Sequence, residues 1–159
     1  MYEDYKILLD CDGVLLDSET RIWKLRKEKS NLSWDDFFQI VDWEKLYQEA
    51  EEIENSLHIV RKLQKKGHNL AILTKTHMIR EGISKVKRLR EEDITVPIIM
   101  VPPDIKKSEI YIPDKKSLLV DDNLKMVKDW REKGGEAILF DINNSSDEKQ
   151  KVKSLKFLL

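Results

Sequence analysis

Cysteine occurs once in this chain of 159 residues, glycine five times and proline four times. A single thiol, Cys11, cannot close an internal disulfide, which fits a reducing, cytoplasmic setting. No apolar run approaches the length of a membrane span, and the opening Met1-Tyr2-Glu3-Asp4 is nothing like a secretion signal. Neither sign of charge dominates. Lys and Arg number 29 against 30 Asp and Glu, a net charge of −1, so no global field points to nucleic acid or an acidic membrane. The three histidines, His58, His68 and His77, show no metal-ligand spacing. Internal repeats and low-complexity linkers are absent. With 40% hydrophobic and 37% charged residues, the chain has an adequate core and a highly charged surface, and its length suits one domain with a small insertion.

What is present is concentrated at Ile7-Leu8-Leu9-Asp10-Cys11-Asp12-Gly13-Val14-Leu15. An apolar run enters two aspartates spaced by one residue. On an extended backbone Asp10 and Asp12 face the same way and Cys11 the other. Two carboxylates at the carboxyl end of a strand can hold a divalent cation and can also supply a nucleophile with an acid/base beside it. Gly13 lets the chain turn away sharply. An acidic turn after a strand is the plainer alternative, and groups suited to the same chemistry at other strand ends would decide between the two.

Residues 5–10 read as a buried strand. Residues 17–56 differ: they lack Gly and Pro, carry Trp23, Trp34 and Trp43, and read as short helices inserted after the first strand, one of them opening at Ser33 with Asp36 as acidic capping partner. Ile53, Leu57, Val60 and Leu63 outline a helix stopped by Gly67. Residues 69–74 form a second strand, and Ile79, Ile83, Val86 and Leu89 the apolar face of the next helix. Residues 97–101 form a third strand, 117–120 a fourth and 136–140 a fifth. Leu124, Val127 and Trp130 mark a helix ended by Gly134-Gly135. Val152, Leu155 and Leu159 suit a C-terminal helix. Strands alternating with helices and apolar throughout predict an α/β fold: a three-layer, Rossmann-like parallel sheet covered by helices on both faces. The expected division is a core of residues 1–16 and 57–159 with a small helical cap of residues 17–56.

Such sheets bind ligands beyond the carboxyl ends of their strands. Collected there are Asp10 and Asp12, then Thr74, then Lys106 and Lys107 after the third strand, then Asp121 and Asp122. Acids so placed in a buried sheet are costly without partners.

This set resembles the haloacid dehalogenase superfamily of phosphotransferases across most of the chain. Leu9 to Val14 is similar to its first motif, Ile72-Leu73-Thr74 to its second, a lysine before the fourth strand to its third, and Leu118-Leu119-Val120-Asp121-Asp122 to its fourth. Each is short, but four in order on the right elements are specific. The resemblance implies Asp10 as nucleophile forming an aspartyl-phosphate, and Asp12 as acid for the leaving oxygen and then base for water. It implies Mg²⁺ held by Asp10, the backbone carbonyl of Asp12, and Asp122, with Asp121 orienting a water or the lysine. Thr74 with the backbone amides that follow it, and Lys75 beside it, would grip the phosphoryl group. Lys107, followed by Ser108, is favoured over Lys106 as the lysine that stabilises the transferring group. Asp12 argues for phosphate-ester cleavage over dehalogenation. The short insertion, the phrase around Asp10 and the Gly134-Gly135 run resemble the 5'(3')-deoxyribonucleotidase-like branch.

The expected activity is a cytoplasmic, Mg²⁺-dependent phosphohydrolase on a small phosphate monoester, a nucleoside monophosphate leading. Rivals are a phosphatase of nucleic-acid ends, a signalling receiver domain and a non-catalytic binding module. In a receiver domain the acidic pair, acceptor, Thr and Lys come in another order. Other residues have plainer readings that are preferred. Cys11 packs in the core, His77 has no role, and Asn123 caps the next helix. The insertion's aromatics form its own core rather than a stacking surface. The basic residues Lys75, Arg80, Lys85, Lys87, Arg88 and Arg90 line a solvated helix face rather than a nucleic-acid patch.

Overall fold

The computed structural model describes residues 1–159. In chain order its elements are β1 (Lys6–Leu9), β2 (Leu16–Asp17), α1 (Ser18–Glu28), α2 (Trp34–Ile40), α3 (Trp43–Glu49), β3 (Glu51–Glu52), α4 (Ser56–Lys65), β4 (Asn69–Lys75), α5 (Ile79–Glu91), β5 (Ile98–Val101), α6 (Lys107–Ile110), β6 (Ser117–Asp121), α7 (Leu124–Glu132), β7 (Glu136–Phe140), β8 (Lys151–Val152) and a 3-10 turn, Leu155–Leu158. Six strands form one parallel sheet in the order β5-β4-β1-β6-β7-β8. From β1 the chain winds outward through β4 and β5, then returns to the other flank of β1 with β6. That reversal opens a crevice at the carboxyl ends of β1 and β6.

Alternation along the strands supplies two cores. Ile7, Leu9, Ile72, Leu118 and Val120 pack on one face with Leu57, Val60 and Leu63 of α4. Leu8, Leu73 and Leu119 pack on the other with Val127 and Trp130 of α7. A sheet apolar on both faces is stable only with helices on both, so the three-layer α/β expectation holds. None of the helices is long and apolar enough to cross a membrane.

The insertion sits on a two-residue antiparallel ribbon that pairs Leu16 with Glu52 and Asp17 with Glu51. Its three short helices start on side-chain caps. The Asp17 carboxylate accepts from Thr20 N at 3.3 Å, Ser33 Oγ from Asp36 N at 3.1 Å and the Asp42 carboxylate from Lys45 N at 3.1 Å. Phe37, Trp43, Leu46 and Tyr47 are buried and continuous with the core above α4.

Three expectations change. Val152 and Leu155 do not share a C-terminal helix: Lys151–Val152 is a sixth strand paired to Leu139 and Phe140, and Leu155–Leu158 is a single 3-10 turn. The Asp141 carboxylate gathers Ser145 N and Ser146 N, both at 3.0 Å, and so turns the chain back along β7. Too few residues then remain to repay helix nucleation. The second change is in α5. Ile79 and Ile83 are 81% and 61% exposed, while Glu81, Lys85 and Arg88 point inward. The inward charges find buried partners, described below, and those partners set the rotation of the helix. The third is that β1 stops at Leu9, one residue before Asp10.

Gly134 and Gly135 have a structural explanation. Gly134 ends α7 with φ of +96°, and a Cβ on Gly135 would lie 2.3 Å from Trp130 Nε1 and 2.9 Å from Pro113 Cβ. Gly135→Ala is therefore expected to cost about 1–3 kcal/mol through overpacking. A urea titration should show a lower midpoint at unchanged slope; an unmoved midpoint would contradict this packing account.

Candidate active site

A cleft of about 340 Å³ lies over the crevice, between the strand ends and the insertion. Its floor carries Asp10, Asp12, Lys107, Asp121 and Asp122, with Lys75 at the side. β1 delivers Asp10, β6 ends in Asp121, and the loop after β5 carries Lys107 into the first position of α6. The Lys107 ammonium is buried and donates to Asp10 Oδ1 at 2.8 Å and Asp121 Oδ2 at 2.7 Å. Lys106 instead faces solvent, 3.6 Å from Asp129. Asp121 also accepts from Asn123 N at 2.9 Å, and the Asn123 side chain caps α7, as its plainer reading predicts.

One ammonium among three carboxylates leaves negative charge in excess. Carboxylate oxygens of Asp10, Asp121 and Asp122 lie within 4.8 Å of one another. Burial first, then the Asp121 charge, push the Asp10 pKa up to about 7 despite Lys107. Burial, with Asp10 and Asp121, pushes Asp122 up to about 10. For Lys107 burial works against the charged form, but the two aspartates outweigh it and its pKa rises. All-oxygen, hard, crowded donors match a divalent cation such as Mg²⁺. Gly13 guards this geometry: at φ +83° a Cβ there would lie 2.1 Å from Asp122 Oδ2.

Asp12 also lines the cleft, but its carboxylate lies outside that cluster. As expected from the strand pattern, Asp10 and Asp12 both face the cleft while Cys11 packs in the core, but the two carboxylates take different partners. Val14, Leu15 and Leu16 all donate backbone N–H groups to Cys11 O, a tight turn that begins at the Asp-x-Asp segment. The Asp12 carboxylate accepts from Ser18 Oγ at 2.5 Å and Tyr47 Oη at 2.7 Å, and pairs with Lys85 Nζ at 2.8 Å. Burial would raise its pKa, but Lys85 and the two hydroxyls lower it on balance. Lys85 also donates to Thr74 Oγ1 at 3.0 Å and Lys75 O at 2.7 Å, and pairs with Glu81 at 3.0 Å. Thr74 is wholly buried beside this lysine, whereas Lys75 reaches the cleft and donates to Pro103 O at 2.8 Å.

Lys85 and Glu81 went unrecognised in the sequence because an i, i+4 acid–base pair on a charged helix reads as a surface pair. Glu19, a further cleft acid, carried no motif. The aromatics of the insertion differ in exposure. Phe37, Trp43 and Tyr47 are buried, the last two while lining the cleft; Trp23 and Trp34 also line it but are 55% and 40% exposed, packed edge-to-face at 5.3 Å. His77 is also on the cleft wall, its ring 4.4 Å from that of Phe38 and its Nδ1 3.0 Å from Glu81. Cys11 is buried in the core, where burial above all raises its thiol pKa. His58 and His68 lie away from the cleft.

No protein-family model matches this chain, and no curated protein does. Solved structures do match. YfnB of Bacillus subtilis, described as a HAD-hydrolase and solved with bound magnesium, superposes with a TM-score of 0.65 at 15% identity, over 97% of this chain and 96% of its own. A family IA, variant 3 HAD hydrolase from Entamoeba histolytica gives 0.65 at 14% identity over 98% and 95%. A subfamily IA, variant 1 hydrolase from Geobacter sulfurreducens gives 0.61 at 16% identity over 93% and 91%. At these identities the likeness establishes the fold, that of haloacid dehalogenase-like hydrolases with a helical insertion after the first strand.

The acid crowding has a measurable consequence. Asp10 and Asp122 have folded pKa values above the unfolded value of about 4, so their protonated forms stabilise the fold at low pH. That contribution is lost as pH rises from about 4 towards about 7 for Asp10 and about 10 for Asp122. In chelator, Asp122→Asn should therefore gain melting temperature relative to wild type as pH is raised from 6 to 9. Mg²⁺ should raise the wild-type melting temperature, and more so at higher pH. Parallel pH profiles for the two proteins in chelator would rule out the crowding.

Proposed function

We propose that this protein is a Mg²⁺-dependent phosphohydrolase that cleaves phosphate monoesters through a phosphorylated Asp10. The observation that carries this reading is the Asp10–Lys107–Asp121 bridge with Asp122 beside it. It sets a nucleophilic carboxylate, a buried cation and a hard-donor metal site around one point of the cleft. The residues 17–56 act as a cap on a core of 1–16 and 57–159. A lone buried thiol and an intracellular phosphate ester both suit a reducing cytoplasm.

The unbridged Asp10 oxygen bonds to phosphorus as the ester P–O bond breaks. Asp12 is anionic in the free protein, so the proton it passes to the leaving oxygen comes from the monoester, whose second ionisation lies near pH 6. Water then gives a proton to Asp12 and its oxygen displaces Asp10 from phosphorus, releasing phosphate. Lys107 stabilises charge on the transferring group, and Lys75 with the amides after Thr74 grips the phosphoryl oxygens from the opposite side. Thr74 anchors that loop through Lys85. Asp10, Asp121, Asp122 and the Asp12 carbonyl would hold Mg²⁺, which when bound neutralises phosphate charge so that two anions can approach.

The substrate class we favour is a nucleoside monophosphate, as in the deoxyribonucleotidase-like branch. Half-exposed tryptophan rings over a charged floor suit a flat base at one end and a phosphate at the other. A nucleic-acid end is disfavoured because the basic residues of α5 are engaged: Lys85 and Arg88 are buried, Arg80 donates to Gln39 O, and Lys87 pairs with Glu44.

The test is phosphate release from nucleoside monophosphates, sugar phosphates and an aryl phosphate, with Mg²⁺ and with chelator. Release should need Mg²⁺ and fall by about a thousandfold or more in Asp10→Asn, with nucleotides ranked first. Release that survives Asp10→Asn unchanged would overturn the mechanism.

A further inference from the structure

The Asp12 carboxylate is held from two sides that the sequence keeps far apart. From the core, Lys85 of α5 reaches its Oδ2 at 2.8 Å while only 1% of the lysine side chain is exposed. From the insertion, Tyr47 of α3 donates its phenolic proton to Oδ1 at 2.7 Å. The lysine also lies against the tyrosine ring, with Nζ 5.7 Å from the ring centroid.

α3 is not free to move relative to α5. The buried Arg88 guanidinium, one turn beyond Lys85, donates to Tyr47 O at 2.6 Å and Ala50 O at 2.7 Å, carbonyls left open at the end of α3. Gln48 donates to Glu91 at 2.9 Å, and Trp43 Nε1 points at Met78 Sδ, 3.0 Å away. These links extend along much of α3 and fix the height and rotation at which Tyr47 meets the cleft floor. Helix α5 turns its charged side inward for this clamp, at the cost of leaving Ile79 and Ile83 in water.

We propose that Tyr47 and Lys85 are positioning residues for Asp12: together they hold its carboxylate turned from the Asp10–Asp121–Asp122 cluster and aimed at the leaving-group side of the cleft. The inference rests on the hydrolase reading above. It adds that the proton-transferring group is aimed in part by the insertion, so the site is complete only with the insertion docked on α5. A carboxylate with one oxygen held by a lysine and the other by two hydroxyls has little rotational freedom. Proton transfer in the transition state depends on that alignment. Tyr47→Phe removes one oxygen and keeps the ring, so packing is preserved while one restraint is lost.

The test compares kcat/KM, which reports the steps up to the first phosphoryl transfer, for an alkyl phosphate and for 4-nitrophenyl phosphate. The alkoxide must be protonated as it leaves and the nitrophenolate need not be. Tyr47→Phe should lower kcat/KM about tenfold or more for the alkyl ester and less than about threefold for the aryl ester, with KM little changed for either. Lys85→Met should show the same skew on top of a loss common to both esters, because Lys85 also anchors Thr74, and thermal melts would establish that each variant is folded. Equal losses on the two esters in a folded Tyr47→Phe, or no loss, would overturn the positioning role alone. A wild-type protein inactive on both esters with Mg²⁺ would overturn the hydrolase reading and this inference with it.

Discussion

One buried ammonium organises the carboxyl edge of the sheet. Lys107 stands between Asp10 and Asp121, the acids that close β1 and β6, at the only place where the winding order reverses. Without it two carboxylates would face each other out of water, where an unpaired buried charge costs several kcal/mol. The lysine therefore does structural work before any chemistry: it lets adjacent central strands end in acids. It also fixes α6, whose next residue, Ser108, donates to Asp129 of α7 at 2.5 Å. Removing one partner from such a pair typically costs about 3–5 kcal/mol, so the bridge that would serve catalysis also serves stability.

A second lysine divides the labour of the Asp-x-Asp pair. Lys107 takes Asp10 and Lys85 takes Asp12. Each carboxylate has its own buried cation, arriving from opposite sides, and the tight turn at Cys11 sends the two acids to different partners. The remaining imbalance is local to Asp10, Asp121 and Asp122. The charge pattern thus separates a region that calls for a divalent cation from one that is already neutralised. On the proposed reading, the nucleophile and the acid/base would need that separation, because one would stay bound to metal while the other exchanges a proton.

The layered fold was legible in the sequence because its signals are dense. Continuous apolar strands, glycines at helix ends and the Ser33 cap each rest on local chemistry that the structure keeps. The acids and Lys107 were legible for a different reason, since they follow strand ends and strand ends share one edge. What could not be read was the rotation of α5. Ile79, Ile83, Val86 and Leu89 have proper helical spacing, yet a periodicity argument prices apolar burial and not partner availability. Beyond the i, i+4 pairs of Glu81 with His77 and Lys85, the inward charges Lys85 and Arg88 have anchors contributed by residues 12, 47, 50, 74 and 75, none of them predictable from spacing along α5. Their pairing sets the helix orientation and leaves two isoleucines exposed. The C-terminus misled for the converse reason, because the Asp141 turn made a strand partner from a segment whose apolar spacing suits a helix.

The cleft mouth departs from what burial alone would favour. Trp23 and Trp34 carry large apolar rings, and full burial of such rings would be worth a few kcal/mol each. They stay half open over the acidic floor. Their placement is nonetheless held: the rings pack against each other, and the Arg26 guanidinium lies 4.8 Å from the Trp34 centroid while donating to Lys29 O and Leu32 O. An aromatic face kept rigid and wet costs less to cover than a mobile one, since its conformational entropy is already spent. On the proposed reading, that surface would contribute little to the reaction at phosphorus and much to the choice of what is attached to it. The charged floor would then fix the reaction, and the aromatic roof would fix the substrate.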